Sequence, residues 1–470
     1  MQVKTVSLSS EVIAPPWMDA EYRKQRSLRK RYEKQWKRLG TAESKTVFIK
    51  QRDYCVFLAN NKIKMFYSNL SSSTDNQTTL FKKVAQLWNR RKTKALPEKY
   101  TDFKILADDF NTFFSNKVDK IRDTFNSVDT TTEIQQVDST SSYCLDDFEP
   151  ASYDELKEVL SDMDIKTCFD DPLPAPLVKS ALPILLPHIL KLVNLSLSTG
   201  DISGLKESVI TPILKKVLLD LNIFKNYRPI VTLQFLGKII EKIVLRRLTK
   251  HMTINNHHCP NQFGYKKHHS TETLLLQIVD DVLIGFEKHS SKILVLLDMS
   301  AAFDTIDIQK LLSILGTKLN IRGTALKWFS SFLVNRKQKV LVNGQLSDVL
   351  LTLYGVPQGS VLGPVLFNIY VSCLPSFIEE LGFLSSMYAD DTNARKQFAL
   401  RFQLYNISVK VPFVIEQITK WMATYFLKVN PSKTEIILFS PSSMKLVLKI
   451  QGIFVNDGCI RFCEALRSAI

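Results

Sequence analysis

Two short apolar runs that each lead into acidic residues constrain this chain more than any other feature. Ile293-Leu294-Val295-Leu296-Leu297 runs straight into Asp298, and about ninety residues later Tyr388-Ala389 leads into Asp390-Asp391. An apolar run of that length reads as a strand, so both acidic groups sit at strand or turn ends. Carboxylates held close together repel and resist joint ionisation, and a fold that gathers them implies a cation to neutralise the field. Hard oxygen ligands suit magnesium, or manganese, shared between a few carboxylates and the phosphates of a nucleotide.

A bare Asp-Asp pair carries little weight, because Asp108-Asp109, Asp146-Asp147, Asp170-Asp171 and Asp280-Asp281 also occur. Asp108-Asp109 lies among Phe110, Phe113, Phe114, Val118 and Ile121, a helical stripe, and reads as the polar face of an amphipathic helix. Asp280-Asp281 interrupts a Leu/Ile/Val-rich stretch that follows the capping-type start Ser270-Thr271-Glu272-Thr273, and has the same explanation.

What surrounds the two acidic ends is more specific. Leu297-Asp298-Met299-Ser300-Ala301-Ala302-Phe303-Asp304, then Gly355-Val356-Pro357-Gln358-Gly359-Ser360-Val361-Leu362-Gly363-Pro364, then Tyr388-Ala389-Asp390-Asp391 resembles motifs A, B and C of reverse transcriptases, in order. The match is to LINE-type (non-LTR) retrotransposons of the jockey and chicken-repeat group. Asn226-Tyr227-Arg228-Pro229, Lys238-Ile239-Ile240-Glu241-Lys242, Gln262-Phe263-Gly264-Tyr265 and Asn430-Pro431-Ser432-Lys433 extend the resemblance over roughly Pro212 to Phe439.

The resemblance implies an α/β (α+β) right-hand polymerase of fingers and palm with an antiparallel palm sheet. It implies RNA-directed DNA polymerase activity, in which a primer 3′ end is extended with deoxynucleotides on an RNA template. Asp298, Asp390 and Asp391 are then the metal-holding and catalytic acids, and Lys433 is the catalytic lysine near the leaving phosphates. Phe303 takes the place under the incoming sugar, where a ring would clash with a 2′-hydroxyl. Gln358 and Gly359 approach the nucleotide, and Arg228, Lys238 and Lys266 are fingers contacts for triphosphate or template. Asp304 and Asp307 point elsewhere and read as structural or capping acids.

The chain has 470 residues, a formal charge of +16 and 45% hydrophobic residues, enough for two or three domains around a sizeable core. That excess of positive charge favours a polyanionic partner. Its densest part, Arg23 to Arg38, reads as a helix whose Arg23, Lys24, Arg29, Lys30 and Arg31 can track a phosphate backbone; a solvated surface helix is the plainer alternative.

The expected organisation is a basic helical connector over 1–123, a flexible acidic Ser/Thr/Asp-rich linker over 124–152 and a helical lead-in over 153–210. Fingers and palm occupy 211–470, cut short before the thumb. Pro172, Pro174 and Pro176 precede an apolar helix through Leu182 to Leu197, and with His188 and Lys191 they argue against a membrane span. With no secretory signal, the protein is expected inside the cell, in nucleus or cytoplasm. Seven scattered cysteines read as reduced thiols, and His257-His258-Cys259 with His268-His269 does not match a zinc-finger spacing.

Two departures from the family pattern stand out. Tyr265-Lys266 replaces the usual aromatic-arginine pair and gives up the forked guanidinium. After Thr392, Asn393-Ala394-Arg395-Lys396-Gln397 has poor strand propensity, so the second strand of the motif C hairpin is expected to be short or misregistered. An inert nucleic-acid-binding remnant and an RNA-dependent RNA polymerase are the competing readings; Phe303 disfavours the second.

Overall fold

The computed structural model describes residues 17–72, 96–125, 143–163, 168–216, 219–399, 409–440, 453–455 and 458–464. They divide into two compact units, Met1–Lys94 and Ala95–Ile470.

The first unit contains a helical hairpin, α1 (Ala20–Leu39) and α2 (Ala42–Ser72). Asp19 caps the start of α1 through the Tyr22 amide, and Gly40 closes its end in the left-handed conformation that glycine adopts without penalty. Trp36 stacks on Phe48 at 5.3 Å, and Lys62 bridges Asp19 and Glu21. The predicted basic helix is present, and none of its residues is fully buried.

In the second unit, α3 (Phe103–Asp123) is followed by α4 (Tyr153–Ser161), α5 (Ala175–Ser180) and α6 (Leu182–Thr199). By length and composition α6 could cross a membrane. Here Leu186, Ile189, Val193 and Leu197 lie in the main core, and Trp328 donates its indole N–H to Ser196 Oγ at 3.0 Å.

A first sheet is built from β1 (Glu207–Leu214), β2 (Tyr227–Leu233), β5 (Arg336–Val342), β6 (Gln345–Leu346) and β7 (Leu350–Thr352). Its order is β2-β1-β5-β6, with β7 also on β5. One face is closed by α3: Leu106, Ala107, Phe110 and Phe114 pack on Ile210, Tyr227, Val340 and Val342. Each large apolar side chain buried in such a layer stabilises by about 1.5–3 kcal/mol.

The second sheet comprises β3 (Ser290–Leu297), β8 (Leu384–Tyr388), β9 (Asp391–Ala399), β11 (Glu435–Phe439), β12 (Ile453–Val455) and β13 (Gly458–Glu464). Its order is β12-β13-β11-β3-β9-β8. The expected antiparallel sheet needs one correction, because β13 pairs with β11 in parallel. β12 and β13 form a hairpin, and its second strand, not its first, joins β11, which restores the direction of β11. The helices α7 (Phe235–Ile254), α8 (Thr271–Glu287), α9 (Ile308–Thr317), α10 (Gly323–Leu333), α11 (Gly363–Tyr370), α12 (Leu374–Glu380) and α13 (Val411–Thr424) pack around these sheets. Short β4 (Met299–Ser300) pairs with β10 (Lys428–Val429).

The motif C expectation is overturned. β9 runs for nine residues and pairs from Thr392 to Ala399 with β3 on one side. On the other side its residues Asp391–Arg395 pair with the five of β8. Low strand propensity loses to burial: Arg395, only 3% exposed, is ion-paired to Asp281 and donates to Ser386 Oγ and Asn393 Oδ1. Asp281 is thus a structural acid, as its helical setting suggested.

The last part of the segment expected to be a loose linker, residues 143–152, is packed in a way that its composition does not imply. Residues 126–142 lie outside the described part, but within 143–152 Phe148 and Ala151 are buried and Leu145 bridges Ile321. The Ala325 and Arg322 amides donate to the Asp146 and Leu145 carbonyls. The division between compact units falls at Lys94, and α3 belongs to the second unit.

Candidate active site

Register brings the acids together. β3 and β9 are paired up to Leu297 opposite Thr392, so the next step along both strands sets Asp298 opposite Asp391. β8 and β9 pair Tyr388 with Asp391, leaving Ala389 and Asp390 as the two residues of a tight hairpin turn. Ala389 has φ +56° and Asp390 does not share the positive φ, the pattern of a turn that normally takes glycine first. A left-handed alanine is a strained residue, and such strain persists only where neighbours enforce it.

The enforcing neighbours are Gln262 and Gly264. Gln262 is buried, and its Oε1 accepts from the Ala389 amide at 3.0 Å and the Gly264 amide at 2.8 Å. Its Nε2 donates to the Ala389 carbonyl at 3.3 Å. Phe263 and Asn261 extend the clamp through backbone bonds with Met387. A Cβ on Gly264 would lie 2.2 Å from the Ala389 nitrogen, so a side chain there is incompatible with the turn. Asn368 Nδ2 on α11 donates to the Gly264 carbonyl and ties the motif B helix to the same point.

The electrostatics match the crowding of acids. Burial pushes the Asp390 carboxyl above its ordinary range and Asp298 adds to the shift, while Lys433 opposes it. Asp391, more open to solvent, is also raised by partial desolvation, then by Asp390 and Asp298. Lys433 Nζ lies 3.2 Å from Asp298 Oδ2, with its side chain 65% exposed and that of Asp298 24%. It is delivered by the turn before β11: the Asn430 amide donates to the Asp298 carbonyl at 2.8 Å, and Thr434 Oγ1 accepts from the Asp298 amide at 3.4 Å.

Among the described residues, no three His, Cys, Asp or Glu side chains converge closely enough to hold an ion unaided. The donor set nevertheless fits a hard cation: three carboxylates gather at one strand end and its turn, burial and their neighbours raise two of them above their ordinary range, and exposed Lys433 supplies nearby counter-charge. Magnesium needs only one or two protein carboxylates, because it keeps waters and takes phosphate oxygens.

Motif B is assembled against motif A by backbone contacts. The Gly355 amide donates to the Ile306 carbonyl at 2.8 Å and the Val356 amide to the Phe303 carbonyl at 2.9 Å. A Cβ on Gly355, at φ +84°, would meet the Asp304 carbonyl oxygen at 2.7 Å. Buried Glu241 accepts from the Val361 and Leu362 amides at 2.7 and 3.2 Å and so anchors the end of that loop. Gln358 donates to Asp304 Oδ1 at 2.6 Å, and Phe303 stacks on Phe367 at 4.5 Å. Asp307 caps α9 through the Lys310 amide and pairs with Arg122 of α3 at 2.8 Å.

The residues expected to be fingers contacts divide. Arg228, on β2, belongs to a cation cluster centred on Lys215, whose amine is depressed by burial first and then by Lys117, Arg228, Lys225 and Lys433. Lys238 stays on α7 near Glu241. Lys266 turns away from the acids, its Nζ donating to the Cys259 carbonyl at 3.4 Å. Arg23, Lys24, Arg29, Lys30 and Arg31 lie on α1 of the other unit. Lys117, Lys215, Glu241 and Gln262 were given no role by sequence reasoning. Lys117 lies outside the motif-bearing segment, and the other three act through main-chain contacts or clustering that no spacing announces.

The chain matches the profile of the family described as reverse transcriptase (RNA-dependent DNA polymerase) over residues 213–447. It is 28% identical over 247 residues to a probable RNA-directed DNA polymerase from transposon BS of Drosophila melanogaster, covering 50% of this chain and 26% of the relative. It is 27% identical over 247 residues to the RNA-directed DNA polymerase from mobile element jockey of the same fly, covering 52% and 26%. Against the jockey polymerase of Drosophila funebris the figures are 32% over 175 residues, 35% and 18%. The matched segment spans about a quarter or less of these curated relatives. With motifs A and C meeting at one strand end, motif B bonded to motif A through its backbone, and half of its length inside the family profile, the chain belongs to the reverse transcriptases of LINE-type (non-LTR) retrotransposons.

Proposed function

We propose that this chain carries the fingers and palm of an RNA-directed DNA polymerase, extending a DNA primer with deoxynucleoside triphosphates on an RNA template. The observation that carries the reading is the register setting Asp298 opposite Asp391, with Asp390 in the adjoining turn. Asp298, Asp390 and Asp391 would hold magnesium or manganese, which when bound activates the primer hydroxyl and steadies the departing pyrophosphate. The protein's own share is positioning: Gln262 fixes the turn, and Glu241 and Gly355 fix motif B. The exposed Lys433 ammonium and the Lys215–Arg228 cluster offer positive charge to a triphosphate. Phe303, held flat against Phe367, presents a rigid ring where a 2′-hydroxyl would sit. Arg23, Lys24, Arg29, Lys30 and Arg31 on α1 would add phosphate contacts whose affinity falls with salt.

The test is primer extension on an RNA template with the Asp390→Ala, Asp391→Ala double variant. Extension should be lost and RNA binding kept, and deoxynucleotides should be used in preference to ribonucleotides. An unmodified chain that binds RNA salt-dependently but extends no primer in magnesium or manganese would replace this reading with the inert remnant.

A further inference from the structure

A cavity opens beside the scaffold of the catalytic turn. It has a volume of about 460 Å³ and lies between α7, the loop through Cys259 and Lys267, the end of α9, and α11. Its apolar wall is Leu245, Met252, Leu319, Val365 and Ile369. Its charged wall is Lys266, Lys267 and Lys318, and among the described residues no acidic one lines it.

The two inward-reaching lysines are held by neutral groups. Lys318 Nζ donates to Ser372 Oγ at 2.9 Å and lies 3.2 Å from Cys373 Sγ, while Lys266 reaches only the Cys259 carbonyl. Burial, then His251, Lys318 and His258, holds His257 below its ordinary range, so adding positive charge here is already disfavoured. A metal cation is the wrong guest for such a wall, and the Cys259 thiol, pushed up by burial, is a poor thiolate donor. Two further lining residues have buried polar atoms without partners, His257 Nε2 and Asn368 Oδ1. Both atoms are closed off from solvent, so neither is itself a contact for a guest, and the lysines carry the polar side of the cavity.

We infer that this cavity binds a nucleoside monophosphate, its phosphate between Lys266 and Lys318 and its base against the apolar wall. The volume lies within the range of small-molecule sites and suits a mononucleotide, whereas a duplex would not enter. Gln262 and Asn368, which brace Ala389 and Gly264, both line the cavity, so its occupant presses on the side chains that hold the catalytic turn.

Titration calorimetry of the full chain with AMP in EDTA tests this away from polymerase chemistry, because the aspartate site has no cation under those conditions. AMP should bind saturably, and adenosine and inorganic phosphate should each bind at least about tenfold more weakly, the scale of one charge-assisted hydrogen bond. Lys318→Glu and Lys266→Gln should each weaken AMP by a similar factor, and Asp298→Ala should leave it unchanged. Photolabelling of the unmodified chain with 8-azido-AMP should mark residues 245–267, 318–319 or 365–372, which keeps the inference testable if a lysine variant fails to fold. Absence of saturable binding, adenosine or phosphate binding as tightly as AMP, lysine variants that fold but bind normally, loss of binding in Asp298→Ala, or label elsewhere would each overturn it. None of these outcomes depends on primer extension.

Discussion

Replacing Gln262 with leucine removes a side chain bonded to backbone groups of the turn, yet it should cripple turnover. Gln262→Leu keeps the volume and deletes bonds of 2.8, 3.0 and 3.3 Å, leaving two amides and one carbonyl orphaned. A buried group stripped of its partner costs about 1–3 kcal/mol, and relaxation with the weak third bond brings the sum to roughly 2–4 kcal/mol. For a unit of this size that is a fall in Tm of several degrees. The larger effect is kinetic: Ala389 sits immediately before Asp390, and a shift of about 1 Å at a reacting group costs about a hundredfold in rate. Steady-state primer extension should show kcat down about 30- to 100-fold, with KM for the deoxynucleotide changed by less than about threefold. The cations around Lys215 are untouched by the change, which is why binding should hold. A folded variant with unaltered kcat, or one whose whole defect lies in KM, would refute the clamp.

Asp390→Asn should abolish extension yet raise Tm at neutral pH. The folded carboxyl is raised above its ordinary value near 3.8, so the charged form costs stability as pH climbs through that window and stays costly above it. Melting curves of variant and parent should therefore converge as pH falls below the ordinary value, and a variant no more stable at pH 7 would count against the crowding of acids. Magnesium should raise the Tm of the parent and not of an Asp298→Asn, Asp390→Asn, Asp391→Asn triple variant, in a calorimetric titration that equal shifts would contradict. Asp281→Ala strips buried Arg395 of its counter-charge and should cost about 3–5 kcal/mol in denaturant unfolding, against almost nothing if β9 does not need the pair. Phe303→Val should admit ribonucleotides in competition assays, and unchanged discrimination would remove the ring from that role.

The three aspartates, the cap at Ser270 and the strand after Lys433 were all legible in the sequence, because each is written locally as an apolar run, a capping pair or an acidic terminus. β9 was not. Its Asn393, Arg395 and Lys396 look like loop residues until Asp281 and Ser386 appear as partners of Arg395, and Asp281 lies on a helix far upstream. Gln262 and Glu241 stood inside recognisable motifs, but their work is to satisfy backbone amides of distant loops, which leaves no periodicity to read. The packing of residues 143–152 was hidden likewise, since Phe148 finds Trp328 and Phe329 only after the chain has folded back.

The position of α3 sets a practical limit on dissection. A clone trimmed to the family-matched span of 213–447 would discard the helix whose Phe110 stacks on Phe224 at 4.3 Å and whose Arg122 reaches Asp307. It would also cut β1 near its end, after most of its pairing with β2 and all of its pairing with β5. Such a truncate would expose a greasy wound around Tyr227 and Val340 and aggregate, so a minimal soluble polymerase fragment should start upstream of Leu96.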